Sequence, residues 1–308
     1  MSIASYLREI GRGKEGARSL SRDQAAELMA QLLDGRVSDV ERGAFALAMR
    51  IKGESPEELM GFMQATEPRQ LRLCAPRPAV VLPSYNGSRK LPNLTPLLAL
   101  LLARQGISVL VHGPHLEPGR VTSGQIFAEL GHPLVDTAEQ AQAEWAQGRP
   151  VFMTTAALHP GLSQHLLSLR SILGLRNTGH TLAKLLPAVV HGVRVVNHTH
   201  PEYAISLAEF LSHTQATALL LRGTEGEPVA DARRLPALKC FVKGALEEAL
   251  SVEAQGGSLT TLPIWPERTD APTTAHHIDA ILRGVHPVPH PIERQVDVLV
   301  SLCKKVTV

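Results

Sequence analysis

Cysteine and aromatic residues are scarce in this 308-residue chain, and each scarcity excludes a class of protein. The three cysteines, Cys74, Cys240 and Cys303, stand too far apart for a zinc-binding spacing or a disulfide framework. We therefore expect them to be buried apolar residues in a reducing compartment. Aromatic residues make up only 4% of the chain, which argues against a surface that stacks the bases of single-stranded nucleic acid.

Long apolar runs are missing as well. The most apolar stretch, residues 94–103, is far shorter than the roughly 20 residues that a membrane-spanning helix needs. The first residues carry charges where a secretory signal has its apolar core. With 44% hydrophobic and 19% charged residues, the composition is that of a globular protein. The sequence predicts a cytoplasmic protein without a membrane partner.

Acidic residues are absent from two long segments. Residues 68–116 contain six Lys or Arg and residues 145–201 contain five, with no Asp or Glu in either, although the net charge of the chain is only +2. Because solvated faces usually mix charges of both signs, this pattern indicates a positive surface and a polyanionic partner. The alternative is that both segments form buried α/β core, in which charges of either sign are scarce.

The first 67 residues predict three capped helices. Each begins with a serine N-cap, and an acid or glutamine three residues later completes a capping box. The three starts are Ser21-x-x-Gln24, Ser38-x-x-Glu41 and Ser55-Pro56-Glu57-Glu58. We expect residues 1–75 to form a small all-helical domain, with the helical segment 170–188 packed on it.

After Pro76 the pattern changes to short apolar runs that alternate with helical segments. This alternation predicts a mostly parallel, buried sheet with flanking helices. The expected strands are residues 79–83, 107–113, 150–155, 193–199 and 216–223. The fold class is thus α/β, with a small N-terminal all-helical domain and a larger α/β domain over residues 76–308.

The stretch VVLPSYNGSRKLPNLTP, residues 80–96, has the outline of a strand, a phosphate-binding loop and a helix start. Phosphate loops use glycines so that several backbone N–H groups converge on the anion. Here Pro83 and Pro92 lack that N–H, Tyr85 adds bulk, and Gly87 is the one permissive residue, so the loop is expected to have lost its converging amides.

The end of the same stretch still offers groups for an anion. Asn93 and Thr95 are candidate donors at the helix start, with Thr95 as N-cap, while Arg89 and Lys90 supply positive charge. The alternative is an ordinary strand–helix turn with solvated cations.

Other segments contribute candidate site residues. His112 ends the second strand as a candidate anion contact or base, and the alternative is a histidine with an ordinary structural hydrogen bond. Arg176 and His180, four residues apart, share a helix face if the helix reaches them, and no acid nearby neutralises them. Glu225 and Glu227 are weak candidates for a magnesium site, and no structural metal is expected.

The N-terminal segment is rich in basic residues. Residues 1–22 hold five Lys or Arg, among them Arg12, Lys14 and Arg18, against two acids. Phosphate backbones attract such segments independently of base sequence. The alternative is a solvated helix face.

These motifs resemble the anthranilate phosphoribosyltransferase family, which shares its fold with pyrimidine nucleoside phosphorylases. The resemblance covers almost the whole chain. NLTP at residues 93–96 is similar to the family's Asn-Ile-Ser-Thr, VHGPH to its Lys-His-Gly-Asn-Arg, and LGLRNTGHTLAKLLP to its Gly-x-Arg-Thr-x-x-Asn-Thr-Leu-Gly-Pro-Leu. Arg176 matches the family arginine that contacts anthranilate, and His112 and Gly113 match the second motif.

The departures from the family lie in the chemistry. PSYNG replaces the Gly-Thr-Gly-Gly-Asp pyrophosphate loop, Val111 and Pro114 replace a lysine and an asparagine, and the magnesium-binding Asp-Glu pair is missing as such. This pattern is similar to a divergent bacterial branch, the YbiB type. The resemblance to that branch implies a homodimer that binds nucleic acid rather than an enzyme of tryptophan synthesis.

The resulting expectation is a homodimer, paired through the helical domain, that binds DNA or RNA without base specificity and needs no cofactor. The expected phosphate contacts are Arg12, Lys14, Arg18, Arg89, Lys90 and Lys184. The expected vestigial phosphate site consists of Asn86, Gly87, Asn93, Thr95, Gly113 and Ser123. The alternative is a phosphoribosyltransferase for an altered substrate, which would use Mg²⁺ and a pocket lined by His112, Arg176 and His180.

Overall fold

The computed structural model describes residues 2–13, 15–257 and 262–306, so Lys14 lies outside the described residues. The chain divides into two compact units. The helical unit comprises Met1–Leu71 with Thr155–Leu186, and the α/β unit comprises Arg72–Thr154 with Pro187–Val308.

Helices and strands follow one another along the chain as the change of pattern predicts. The helices are α1 (Ala4–Ile10), α2 (Arg22–Leu33), α3 (Asp39–Lys52), α4 (Pro56–Thr66), α5 (Thr95–Arg104), α6 (Ser123–Glu129), α7 (Ala138–Ala146), α8 (Thr155–Leu158), α9 (Pro160–Leu162), α10 (Leu169–Leu173), α11 (Thr178–Leu185), α12 (Glu202–His213), α13 (Ala271–Leu282) and α14 (His290–Val306). The strands are β1 (Ala79–Pro83), β2 (Ser108–Gly113), β3 (Leu134–Val135), β4 (Val151–Thr154), β5 (Val193–His198), β6 (Ala218–Arg222), β7 (Leu238–Val242) and β8 (Ala245–Leu246).

The helical unit contains the three capped helices that its sequence predicts, which follow α1 along the chain. Ser21, Ser38 and Ser55 each accept the N3 backbone N–H, and each N3 side chain returns to the serine N–H, so all three capping boxes are confirmed. One of these N3 residues, Glu58, is fully buried, and its carboxylate pairs with Lys52 at 2.6 Å and accepts the Leu20 N–H at 2.9 Å. A buried charge needs such partners, so the cap also fixes the chain before α2.

The α/β unit is built on one eight-stranded sheet within the described residues, in the order β3-β4-β2-β1-β5-β6-β7-β8. Strands β1 to β6 pair in parallel, while β7 and β8 add an antiparallel edge. The predicted strands are confirmed, and their apolar residues are almost all buried, as expected of a sheet covered on both faces. Strands β3, β7 and β8 were not predicted.

Strand β1 lies at the centre of this sheet, with β2 on one side and β5 on the other. Such a reversal of strand order leaves a crevice at the carboxyl ends of the strands, where α/β proteins bind their ligands. Gly113 lets the end of β2 approach the loop after β1, because a Cβ at this position would lie 1.9 Å from the Ser84 carbonyl oxygen. In the described part of the chain no helix is long and apolar enough to cross a membrane.

Candidate anion site at the carboxyl ends of the strands

The loop after β6 presents two carboxylates from one tight turn. Glu225 and Gly226 have positive φ angles of 52° and 88°, and the Glu227 N–H bonds the Thr224 carbonyl at 2.9 Å. Positive φ at both central residues is the pattern of a type I′ turn, in which glycine is common but glutamate is not. The hydrogen bonds of the Glu225 side chain therefore compensate for this unfavourable backbone conformation.

Glu227 is fully buried, and its carboxylate lies at the centre of a ring of donors. One oxygen accepts the backbone N–H groups of Asn86 at 3.1 Å and Gly87 at 2.8 Å. The other accepts the Ser84 hydroxyl, the Asn93 amide at 3.2 Å and the Thr95 hydroxyl at 3.3 Å. Burial raises the pKa of this carboxyl, while the hydrogen bonds favour its charged form.

Glu225 binds the next part of the same loop. Its carboxylate accepts the backbone N–H groups of Arg89 at 3.0 Å, Lys90 at 2.9 Å and Leu91 at 3.0 Å. Burial acts to raise the pKa of Glu225, but the three N–H groups and the nearby Arg120 hold it below its ordinary value. The carboxylate is therefore ionised at neutral pH.

Five backbone N–H groups of residues 86–91 thus converge on anions. The expectation that this loop had lost its converging amides is wrong, because Pro83 and Pro92 flank the segment rather than interrupt it. Gly87, with a φ of 69°, supplies the left-handed residue that the loop needs. The anions that fill it are the side chains of Glu225 and Glu227.

Four of the six expected vestigial phosphate residues bind Glu227, namely Asn86, Gly87, Asn93 and Thr95. Gly113 instead packs against the Ser84 carbonyl. Asn93 also donates to the Ser123 hydroxyl at 3.2 Å, and that hydroxyl lies 2.7 Å from the Ser84 hydroxyl. Sequence reasoning did not single out Ser84, although its place directly after β1 was a usable signal. The prediction of Thr95 as N-cap is wrong: α5 begins at Thr95, whose hydroxyl binds Glu227 instead of capping the helix.

His112 is fully buried at the end of β2, and burial lowers its pKa to about 4. The imidazole is therefore neutral at physiological pH and does not contribute positive charge to an anion site. Its backbone carbonyl accepts the Ser84 N–H at 2.8 Å, which ties the loop after β1 to β2.

Arg176 and His180 belong to the helical unit. The helix does not reach Arg176, because Asn177 is the N-cap of α11, so the condition for a shared helix face is not met. His180 Nδ1 accepts the Asn177 N–H at 3.3 Å, and burial together with the charges of Arg176 and Arg170 lowers the His180 pKa to about 3. His180 therefore acts as a neutral capping residue.

The predicted phosphate contacts differ in exposure. Arg18, Arg89 and Lys90 are exposed, and none of the other described residues pairs with their side chains. Arg12 is exposed too but forms a 2.7 Å ion pair with Glu9. Lys184 is half-buried, and its charge acts on the half-buried Glu54.

Magnesium, which the transferase alternative implies, does not fit this arrangement. Both carboxylates of the candidate pair already accept N–H groups whose positive ends point at the oxygens a cation would need. Over the described ranges the structure contains no group of three or more His, Cys, Asp or Glu side chains that could hold a metal ion.

The architecture is that of the anthranilate phosphoribosyltransferases. The enzyme of Thermus thermophilus superposes with a TM-score of 0.71 at 22% identity, over 98% of this chain and 92% of that one. The helical bundle domain of the glycosyl transferase family matches residues 4–66.

Sequence relatives identify the family itself. The Escherichia coli (strain K12) protein YbiB, described as uncharacterized, is 39% identical over 300 residues, which cover 96% of this chain and 92% of YbiB. The anthranilate phosphoribosyltransferase of Methylobacterium nodulans is 29% identical over 216 residues, or 70% of this chain and 61% of that enzyme. This chain belongs to the anthranilate phosphoribosyltransferase-like family, together with YbiB.

Proposed function

We propose that the protein is a homodimeric, largely sequence-independent nucleic-acid-binding protein on a phosphoribosyltransferase fold. The observation that carries this proposal is the loop of residues 86–91, whose anion-binding N–H groups are filled by Glu225 and Glu227. In this proposal the loop is a remnant of a phosphate-binding loop, and its N–H groups bind carboxylates of the chain itself.

A phosphoribosyl transfer needs these N–H groups for its leaving group. Pyrophosphate gains negative charge in the transition state, and loss of one oriented donor typically costs about 10²- to 10³-fold in rate. In this loop five N–H donors already bind carboxyl groups, and the ionised Glu225 would repel a pyrophosphate at the same place. Both facts favour a binding function over this transfer.

Glu225 gives the loop a different use. By holding the backbone of Arg89 and Lys90, it fixes two adjacent residues whose charged side chains are exposed to solvent. Lys and Arg side chains at the surface bind phosphate backbones through many weak contacts and the release of counterions. Arg12, Arg18 and Lys184 of the helical unit would add contacts of the same kind.

Pairing through the helical unit is supported by an apolar face on α3. Val40, Leu47 and Ile51 lie at helical spacing and are 82%, 48% and 58% exposed. A cavity of about 320 Å³ lies beside them, lined by Leu47 and Ile51 together with residues of α1. Contiguous exposed apolar side chains of this sort mark protein–protein contacts, and the occupant we propose is a second copy of the chain.

Replacing Leu47 and Ile51 together with glutamate should therefore convert a dimer into a monomer, because four charges would face one another across the pair. Sedimentation velocity checks this. Arg283→Ala, a change at an exposed residue of the α/β unit, is the control and should stay dimeric. A wild-type protein that sediments as a monomer would contradict the pairing.

A titration of labelled duplex and single-stranded DNA at two salt concentrations tests the proposed function. We expect saturable binding that weakens with salt, and no effect of phosphoribosyl pyrophosphate with Mg²⁺ as competitor. No DNA binding, together with saturable binding of the competitor, would overturn the proposal in favour of a transferase.

A further inference from the structure

The α/β unit contains a cavity of about 660 Å³ that the nucleic-acid proposal does not use. It lies at the carboxyl ends of β5 and β6 and at the start of β7. Its volume is in the range of about 300–1,000 Å³ that is usual for small-molecule sites. Its position, outside the carboxyl ends of parallel strands, is the one at which α/β proteins bind ligands.

One face of the β6–β7 pair forms a wall of this cavity. Leu220 stands directly opposite Lys239 in the antiparallel register, and Arg222 lies two residues further along the same face. Arg222 and Lys239 are thus diagonal neighbours, a position at which long side chains are within reach of one another in a typical antiparallel pair. Two cationic side chains on one face at this spacing can both reach a single anion.

The cavity carries more positive than negative charge. Its cationic side chains are Arg222, Arg233, Arg234 and Lys239, and its carboxylates are Glu225 and Asp231. Asp231 is bound to Arg233 by two hydrogen bonds of 2.9 and 2.6 Å, and Glu225 is bound to the backbone of residues 89–91. Arg222, Arg234 and Lys239 are exposed. With four cations against two carboxylates, the lining has a net excess of two positive charges.

Part of the lining is apolar and is held by hydrogen bonds. Leu91, Leu235 and Pro236 contribute to the lining. Leu235 donates its N–H to the Gln255 side chain at 3.3 Å, and the Gln255 N–H returns to the Leu235 carbonyl at 2.9 Å. Because these hydrogen bonds fix the position of Leu235, ligand binding would not have to pay the entropy of ordering this part of the lining.

We propose that this cavity binds a phosphorylated small molecule of nucleotide size. Arg222, Arg234 and Lys239 would bind the phosphate, and the body of the ligand would pack against Leu91, Leu235 and Pro236. A phosphoryl group suits the site because it carries a charge of about −1.5 to −2 at neutral pH, which matches the net excess of two positive charges in the lining. The proposal does not rest on nucleic-acid binding, since a concave site with an apolar wall selects a compact ligand over an extended backbone.

Calorimetric titration of the full-length protein with adenosine 5′-diphosphate, and with adenosine as the uncharged comparison, tests this site. We expect saturable binding of the diphosphate and binding of adenosine that is at least about tenfold weaker, since the charged contacts are missing. Arg222→Ala with Lys239→Ala should weaken the diphosphate by about tenfold or more. Lys304→Ala with Lys305→Ala removes the same charge from the exposed end of α14 and should leave the affinity unchanged.

A variant that fills the cavity tests whether the diphosphate binds inside the cavity or only to positive charges on the surface. Ala237→Trp keeps every charge but fills the space beside Arg222, so it should abolish binding of the diphosphate while thermal unfolding shows that the protein stays folded. Absence of saturable binding to the wild type, or equal losses in the two double variants, would overturn the site. So would full binding by Ala237→Trp combined with displacement of the diphosphate by duplex DNA, because the cations would then belong to a polyanion surface.

Discussion

Duplex DNA should bind about tenfold or more weakly when Arg89 and Lys90 are both replaced by alanine, and the affinity should depend less on salt. On duplex DNA each phosphate contact contributes a slope of about 0.9 to the log–log dependence of affinity on salt, so two lost contacts should lower the slope by about 1.8. The measurement is fluorescence anisotropy with duplexes of two unrelated sequences. Both should lose affinity equally, because phosphate contacts do not read bases.

The double variant should remain folded, since Glu225 binds the backbone N–H groups of these residues and not their side chains. Lys304→Ala with Lys305→Ala is again the matched control, because it removes two positive charges at the end of α14 and leaves the loop intact. If both double variants lowered the slope equally, the salt dependence would reflect the overall positive charge of the protein. The assignment of phosphate contacts to this loop would then be wrong. If neither changed it, the assignment of Arg89 and Lys90 would be wrong.

The features of this protein that sequence could predict are those encoded within a few residues. The capping boxes at Ser21, Ser38 and Ser55 depend on side chains three positions apart, and the structure reproduces each one. Strands β1 and β2 are built on continuous apolar runs, Ala79–Pro83 and residues 109–111, which mark strands buried on both faces. Strand β7 was missed because its polar Lys239 faces a cavity and breaks that pattern.

The arrangement of the candidate site depends on contacts that sequence spacing does not reveal. The bonds from Glu225 and Glu227 to the loop after β1 span more than 130 residues. The loop amides converge because of backbone angles at Gly87, Glu225 and Gly226, which a count of glycines and prolines does not give. Sequence therefore suggested a loop without converging N–H groups, whereas in the structure these groups converge on the carboxylates of Glu225 and Glu227.

Replacement of Glu227 by alanine should lower the free energy of unfolding by about 3–5 kcal/mol, because it leaves buried donors without an acceptor. Ser84, Asn93 and Thr95 would lose a shared carboxylate, as would the N–H groups of Asn86 and Gly87. In thermal unfolding this corresponds to a fall in the midpoint of about 10 °C.

The same variant should respond to added anions. Formate, or inorganic phosphate, would enter the space left by the carboxylate and accept the freed donors, so the unfolding midpoint of Glu227→Ala should rise with either salt more than with chloride at equal ionic strength. Glu227→Gln is the matched control: its amide fills the space and directs hydrogens at other donors, so it should be destabilised without being rescued. Equal effects of formate on the wild type and both variants would show that the carboxylate does not stand in a phosphate site. Rescue confined to Glu227→Ala would support the conclusion that one glutamate fills the anion site and leaves the fold free to bind phosphates elsewhere.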